Sequence, residues 1–253
     1  MQTRQNALFL STAIQLNNAQ LKPAFDWFKL RLRVFDSERG FSSSYTVQRC
    51  KKDEDRIRVV EFMNSADLSI SDIQLKETVF TADALPRGMP AAIKDEFLKD
   101  MAGKKFVKPR FFHRNVDTQE SVEFDEDEES DGTRALFAFA GAWLDVIENE
   151  RVLVVDELDT SLHPLLVHHL VKRLHHAGTK AQLIFTTHDT TLLSQKLLRR
   201  DQVWFMEKDE RGATRLYPLS DFSPRDNEAV ERGYLNGRYG GIPFLKELDF
   251  YGV

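Results

Sequence analysis

The chain has 253 residues, 42% hydrophobic and 30% charged, which excludes a disordered chain and gives room for one large α/β domain or a core with an inserted subdomain. A net charge of -5 and a pI near 5.8 give no global attraction to nucleic acid, although a local basic groove can hide beneath an acidic average, so nucleic acid stays open as a partner. A single cysteine, Cys50, excludes an intramolecular disulfide and a cysteine-based zinc site; with no apolar run near the roughly 18 residues of a membrane span and a polar start, a cytoplasmic protein with no membrane partner is expected.

Along the chain, "NALFLSTAIQLNNAQLKPAFDWFKLRLRVF" places apolar residues at helical spacing, with a helix able to start at Lys22 or Pro23. It begins abruptly, as if inside a domain. From Asp53 to about Leu75 the pattern "RIRVVEFMNSADLSI" predicts helix, and "SDIQLKETVF" then alternates like a strand. "LPRGMPAAIKDEFLKDMAGKK" reads as a helix entered through Pro90 and stopped at Gly103, before two strands, "FVKPRFFHR" and "ESVEF". This middle third reads as a helical insertion.

The acidic tract "DEDEES" marks a boundary, and by itself it is a solvated turn. After it, Leu136, Phe137, Ala140, Trp143, Leu144 and Ile147 fall on one helical face, which predicts a helix packed on a sheet, with Ser130, Gly132 and Thr133 at its N-terminus. "RVLVVDE" is a continuously apolar strand of the kind buried on both faces of a parallel sheet. The helix "SLHPLLVHHLVKRLHHAG" and the strand "AQLIFTTH" complete a βαβ unit. "QVWFMEKDERGATRLYPL" predicts a hairpin turning at "DERG", and "NEAVERGYLNGRYGG" a closing helix with a glycine-rich tail.

Ligands of open parallel sheets sit beyond the carboxyl ends of the strands, so Asp156, Glu157 and His188 project toward one crevice if their strands are neighbours. Carboxylates crowded after an apolar strand are costly unless a cation or a proton relay accounts for them. "VLVV" followed by Asp matches the strand that holds Mg²⁺ in phosphate-transferring ATPases, where the next Glu orients or deprotonates the attacking water. Five of the seven histidines lie in "SLHPLLVHHLVKRLHHAG" without an H-E-x-x-H pattern and read as surface residues. Arg114, Arg134 and Arg238 read as solvated or paired with the acidic tract.

On these residues the sequence resembles the ABC-type ATPase heads of the Rad50, SMC and OLD group, and within it the AAA15-type ATPases of bacterial anti-phage defence. "ESDGTRALF" is similar to the ABC signature, "VLVVDELDTSLHP" to the Walker B strand with its catalytic Glu and D-loop, and "LIFTTHD" to the switch strand. The opening "NALFLSTAIQLNNAQLKPAFDWF" and the ending "YLNGRYGGIPFL" are also similar to that family, so the resemblance spans nearly the whole chain. The resemblance implies ATP and Mg²⁺ as cofactors, Asp156 for the metal, Glu157 for the attacking water and His188 for the γ-phosphate. It also implies Ser130 and Gly132 for ATP bound on the other protomer, with Thr133 in the same nucleotide-binding set, and Asp159 for contact with the partner head. The assembly it implies is a homodimer or larger array through the heads, controlling an effector protein.

No G-x-x-x-x-G-K-[ST] occurs; "MAGKKF" lacks the first Gly and has Lys where Ser or Thr must bind the metal. The family places that loop ahead of the point where this chain begins. The expected fold is therefore an α/β ABC-type ATPase head, a parallel sheet core flanked by helices with a helical insertion, and the N-terminal P-loop lobe absent. Its expected parts are 1–40, a residual N-terminal piece of the core; 41–123, the helix and strand insertion; and 124–253, the C-terminal lobe. Two alternatives stand beside it: a non-hydrolysing module that serves as a dimerisation or docking surface, and a toprim-like metal nuclease, for which no separate strand ending in a Glu-Gly pair occurs.

Overall fold

The computed structural model describes residues 6–36, 42–66, 68–79, 98, 105–115, 117–176, 178–193, 197–209, 211–222 and 229–242. Helices α1 (Phe9–Gln15) and α2 (Lys22–Arg31) open the chain, and Pro23 lies in the first turn of α2, where a missing N–H costs nothing. The helical spacing does not continue through "LRVF". Residues Leu32–Asp36 form strand β1, because Val34 and Phe35 meet a parallel partner far along the sequence.

Next come α3 (Ser44–Arg49) and α4 (Asp53–Asn64), whose end at Asn64 corrects the helix expected to about Leu75. The Asn64 amide donates to the carbonyl of Ile70 at 2.7 Å and accepts the Ile70 N–H at 3.0 Å, a side-chain closure that competes with another helical turn. Strands β2 (Ile70–Val79), β3 (Lys105–Arg114) and β4 (Ser121–Asp125) form an antiparallel sheet in the order β2-β3-β4. The helix expected between Pro90 and Gly103 lies, apart from Leu98, outside the described residues.

The long helix α5 (Asp131–Glu148) is buried around most of its circumference, not on one face alone. Phe139 meets Phe35 edge-on with ring centroids 5.5 Å apart, Phe137 meets Phe111 of β3 at 5.1 Å, and Trp143 meets Phe62 of α4 at 6.2 Å. It is therefore packed both on the parallel sheet and on the elements of the middle third, and one continuous core runs through all of them. The buried Asp145 near its end accepts hydrogen bonds from Arg151 and, at 2.9 Å, from Asn149, with Arg33 of β1 at 3.5 Å.

Strands β5 (Val152–Asp156) and β6 (Gln182–Phe185) join β1 in a parallel sheet of order β1-β5-β6, and α6 (Pro164–His176) makes the crossover between them. Leu153 and Val155 are fully buried beneath the helices. The opposite face is open: Val34 and Ile184, in register with Val154 on either side, are 69% and 57% exposed. This corrects the expectation of burial on both faces, since the helices among the described residues cover only one.

Strands β7 (Trp204–Lys208) and β8 (Thr214–Pro218) pair as the expected hairpin, and α7 (Val230–Leu235) follows. They share a second small core of Phe205, Leu219, Val230 and Tyr239. The turn in "NGRYGG" folds back onto this hairpin: the Tyr217 hydroxyl donates to the Tyr239 carbonyl and the Tyr234 hydroxyl to that of Gly241, each at 2.9 Å. Gly240, with φ at +68°, leaves no space for a Cβ beside the Tyr217 hydroxyl.

Candidate functional site

Parallel pairing brings the carboxyl ends of β5 and β6 side by side, and the loops that leave them carry the residues singled out from the sequence. Asp156 closes β5 with its side chain exposed. The next residue, Glu157, has φ at +51°, and Ser161 four positions on has φ at +63°. Such left-handed conformations of non-glycine residues cost on the order of 1 kcal/mol or more each and persist where surrounding contacts enforce them.

At Glu157 the enforcing contacts come largely from one residue, Thr186, immediately after β6. Its hydroxyl donates to Asp156 Oδ1 and accepts the Glu157 N–H at 2.8 Å. Its own N–H donates to the Val155 carbonyl, and its carbonyl accepts the Leu158 N–H, both at 3.0 Å. Within the loop the Thr160 hydroxyl donates to Glu157 Oε2 at 3.1 Å, and Asp159 Oδ1 accepts the His188 N–H at 3.3 Å. The structure thus brings Asp156, Glu157, Asp159 and His188 together, with the His188 side chain exposed.

Ser130, Gly132 and Thr133 form the N-terminus of α5. Ser130 caps it, accepting the Thr133 N–H on Oγ at 3.1 Å, and the two hydroxyls lie 2.8 Å apart. Thr133 is buried, while Gly132 abuts the loop after β5: a Cβ there would lie 3.1 Å from the Ser161 carbonyl oxygen. Beside this junction opens a cavity of about 460 Å³ with Lys108, Asp131, Arg134 and Ser161 in its wall. The acidic tract is not merely solvated. Asp125 pairs with Arg110, and Glu129 Oε1 lies 2.6 Å from His113 Nε2.

Sequence reasoning missed Thr160 and Thr186. The available signal was two hydroxyl residues, "TT", directly after the apolar strand "LIF", but which partner they would meet depends on the strand pairing.

Among the described residues no group of three or more His, Cys, Asp or Glu side chains is arranged to hold a metal ion by itself. On α6, His169 is half-buried and its pKa is lowered, by desolvation first and then by Arg173, Lys172 and His168. At the end of β5, the exposed carboxylate of Asp156, hydrogen-bonded by the Thr186 hydroxyl and followed in sequence by Glu157, offers hard oxygen donors. Such donors fit Mg²⁺, which takes one or two carboxylates and completes its shell with water and phosphate oxygen.

The family described as "AAA domain, putative AbiEii toxin, Type IV TA system" matches residues 31–194, a span holding β1, α5, β5, β6 and all the site residues above. The chain belongs to this AAA family. As an AAA domain it is of ATPase type, and its mixed α/β fold with a parallel sheet agrees with that. The domain is also similar to the Septu protein PtuA of Bacillus mycoides (strain KBAB4), 30% identical over 126 residues. The aligned part is 47% of this chain and 18% of the relative, so the similarity spans only a small fraction of that protein's length. Among the domain's described residues, no helix is long and apolar enough to cross a membrane.

Proposed function

We propose that this chain is the C-terminal part of an ABC-type ATPase of the AAA15 kind, in the Rad50, SMC and OLD group, which hydrolyses Mg·ATP between two heads and thereby controls an effector in anti-phage defence. The observation that carries the reading is the position of Asp156 and Glu157 at the carboxyl end of β5, both held by Thr186 at the end of the neighbouring β6. Mg²⁺ would neutralise charge on the β- and γ-phosphates. Asp156 would hold it, Glu157 would orient and deprotonate the attacking water, and His188 would serve the γ-phosphate. Ser130 and Gly132, with Thr133 behind them, approach the nucleotide of the other head through the N–H groups and positive dipole of α5. Asp159 contacts the partner head. The defence role follows from the resemblance, and the likeness to the Septu protein PtuA supports it.

In this reading residues 1–40 belong to the ATPase core, 41–123 to an insertion and 124–253 to the C-terminal lobe, and the P-loop comes from chain outside these 253 residues. The open face of the sheet at Val34, Val154 and Ile184 supports a further covering layer, because parallel sheets are buried on both faces in nearly all α/β proteins. One observation favours a second reading, a non-hydrolysing docking module: the sequence holds no G-x-x-x-x-G-K-[ST].

Two substitutions in the complete protein separate these readings. Glu157→Gln keeps the side chain's shape but removes the base, so turnover should fall at least about 100-fold with ATP binding retained. Asp156→Ala should instead weaken Mg²⁺-dependent nucleotide binding itself. Steady-state hydrolysis and fluorescent-nucleotide titration measure both, and undiminished hydrolysis in Glu157→Gln overturns the assignment.

A further inference from the structure

We infer that Thr186 is the positioning residue of this site, acting through its hydroxyl to set both the metal-binding oxygen of Asp156 and the backbone turn that aims Glu157; the inference rests on the roles proposed above for those two acids. The direction of each bond follows from chemistry. The Glu157 N–H can only donate, and an ionised carboxylate can only accept. The single hydroxyl proton of Thr186 must therefore go to Asp156 Oδ1, while its lone pair takes the Glu157 N–H at 2.8 Å.

Two consequences follow. Asp156 has Oδ1 fixed by that hydrogen bond, which limits rotation of the exposed carboxylate and leaves its other oxygen for the metal. Glu157, at φ +51°, has its amide held in a conformation that costs free energy without that acceptor. The Thr160 hydroxyl then fixes the other end of the same residue, at Oε2. A β-branched side chain suits the task, because restricted χ1 keeps the hydroxyl aimed at both partners.

The side-chain role is separable from the backbone role. The N–H and carbonyl of Thr186, bonded to Val155 and Leu158, survive any substitution except proline. Thr186→Val keeps shape and backbone bonds and removes only the hydroxyl; Thr186→Ser restores it.

The test uses the complete protein with a non-hydrolysable ATP analogue and Mn²⁺ as the metal probe, read by electron paramagnetic resonance. Metal affinity should fall about 10- to 100-fold in Thr186→Val, as for loss of a hydrogen bond that orients a ligand, and stay near the parent in Thr186→Ser. Amide exchange at Glu157 should accelerate in the Val variant alone. If Val does not fold, as judged by circular dichroism, Thr186→Ala is read in its place. Parent-like Mn²⁺ affinity without the hydroxyl, or equal losses in Val and Ser, overturns the positioning role. Asp156→Ala in the same titration keeps the two levels apart: if it binds Mn²⁺ like the parent, the metal reading fails, and if it alone loses affinity, only the inference about Thr186 fails.

Discussion

Burial raises the pKa of the Cys50 thiol from 9.0 to about 12, with Arg56 and Arg49 opposing the rise and Asp55 adding to it. At 3% exposure it is closed to reagents as well as protonated, so its chemistry is that of a small apolar side chain. The native protein should show no thiol titratable by Ellman's reagent at neutral pH, and one per chain once denaturant is added. Because it is the chain's sole cysteine, the signal needs no assignment. An unfolded chain loses this proton above 9.0 and the folded one retains it up to about 12, so the contribution to stability is complete below 9.0 and declines as pH rises through that window. Rapid labelling of the native protein would show that α3 and α4 open readily around Cys50.

Helix α5 sets local preference against packing at Gly141. In an isolated helix Gly→Ala stabilises by about 1 kcal/mol. Here a Cβ on Gly141 would lie 2.6 Å from Thr46 Oγ1 and 2.8 Å from Thr46 Cα, so α3 crosses α5 at backbone distance. The fully buried Thr46 hydroxyl donates to the Ala138 carbonyl and accepts the Gly141 N–H, each at 3.0 Å, which fixes the crossing. The neighbour is backbone and cannot swing aside. Gly141→Ala should therefore destabilise the protein by about 1–3 kcal/mol, in keeping with an overpacked core, measured by urea unfolding. A variant as stable as the parent would mean that α3 shifts without cost.

The open row Val34, Val154 and Ile184 and the lack of a P-loop bear on how much the 253 residues do alone. Without that loop the β- and γ-phosphates lose a nest of backbone N–H groups and a lysine, several charge-assisted hydrogen bonds at about 1.5–3 kcal/mol each. Two such losses weaken binding by a factor on the order of a hundred or more. Calorimetry at micromolar concentrations should detect no Mg·ATP binding by the chain alone. Addition of a separately made segment with an intact P-loop should restore binding and hydrolysis. Tight binding by the chain alone would contradict the proposed division of the ATPase.

Periodicity and end signals suffice for elements whose information is local. The apolar spacing of α5, the Ser130 cap, the uninterrupted "VLVV" of β5 and the "DERG" turn each name their own conformation, and the acids after β5 mark a candidate site because a strand end is a fixed place in an α/β sheet. Pairing is not local. β1 reads as a continuation of α2 until Val34 meets Val154 across more than a hundred residues, and α4 reads past Asn64 until that side chain closes on Ile70. In the sequence Thr186 is one hydroxyl among several; alignment of β6 with β5 puts it against Asp156 and Glu157 and makes it the hub of the loop. The same alignment left one sheet face open, since a hydrophobic strand states that it prefers burial but not which layer covers it.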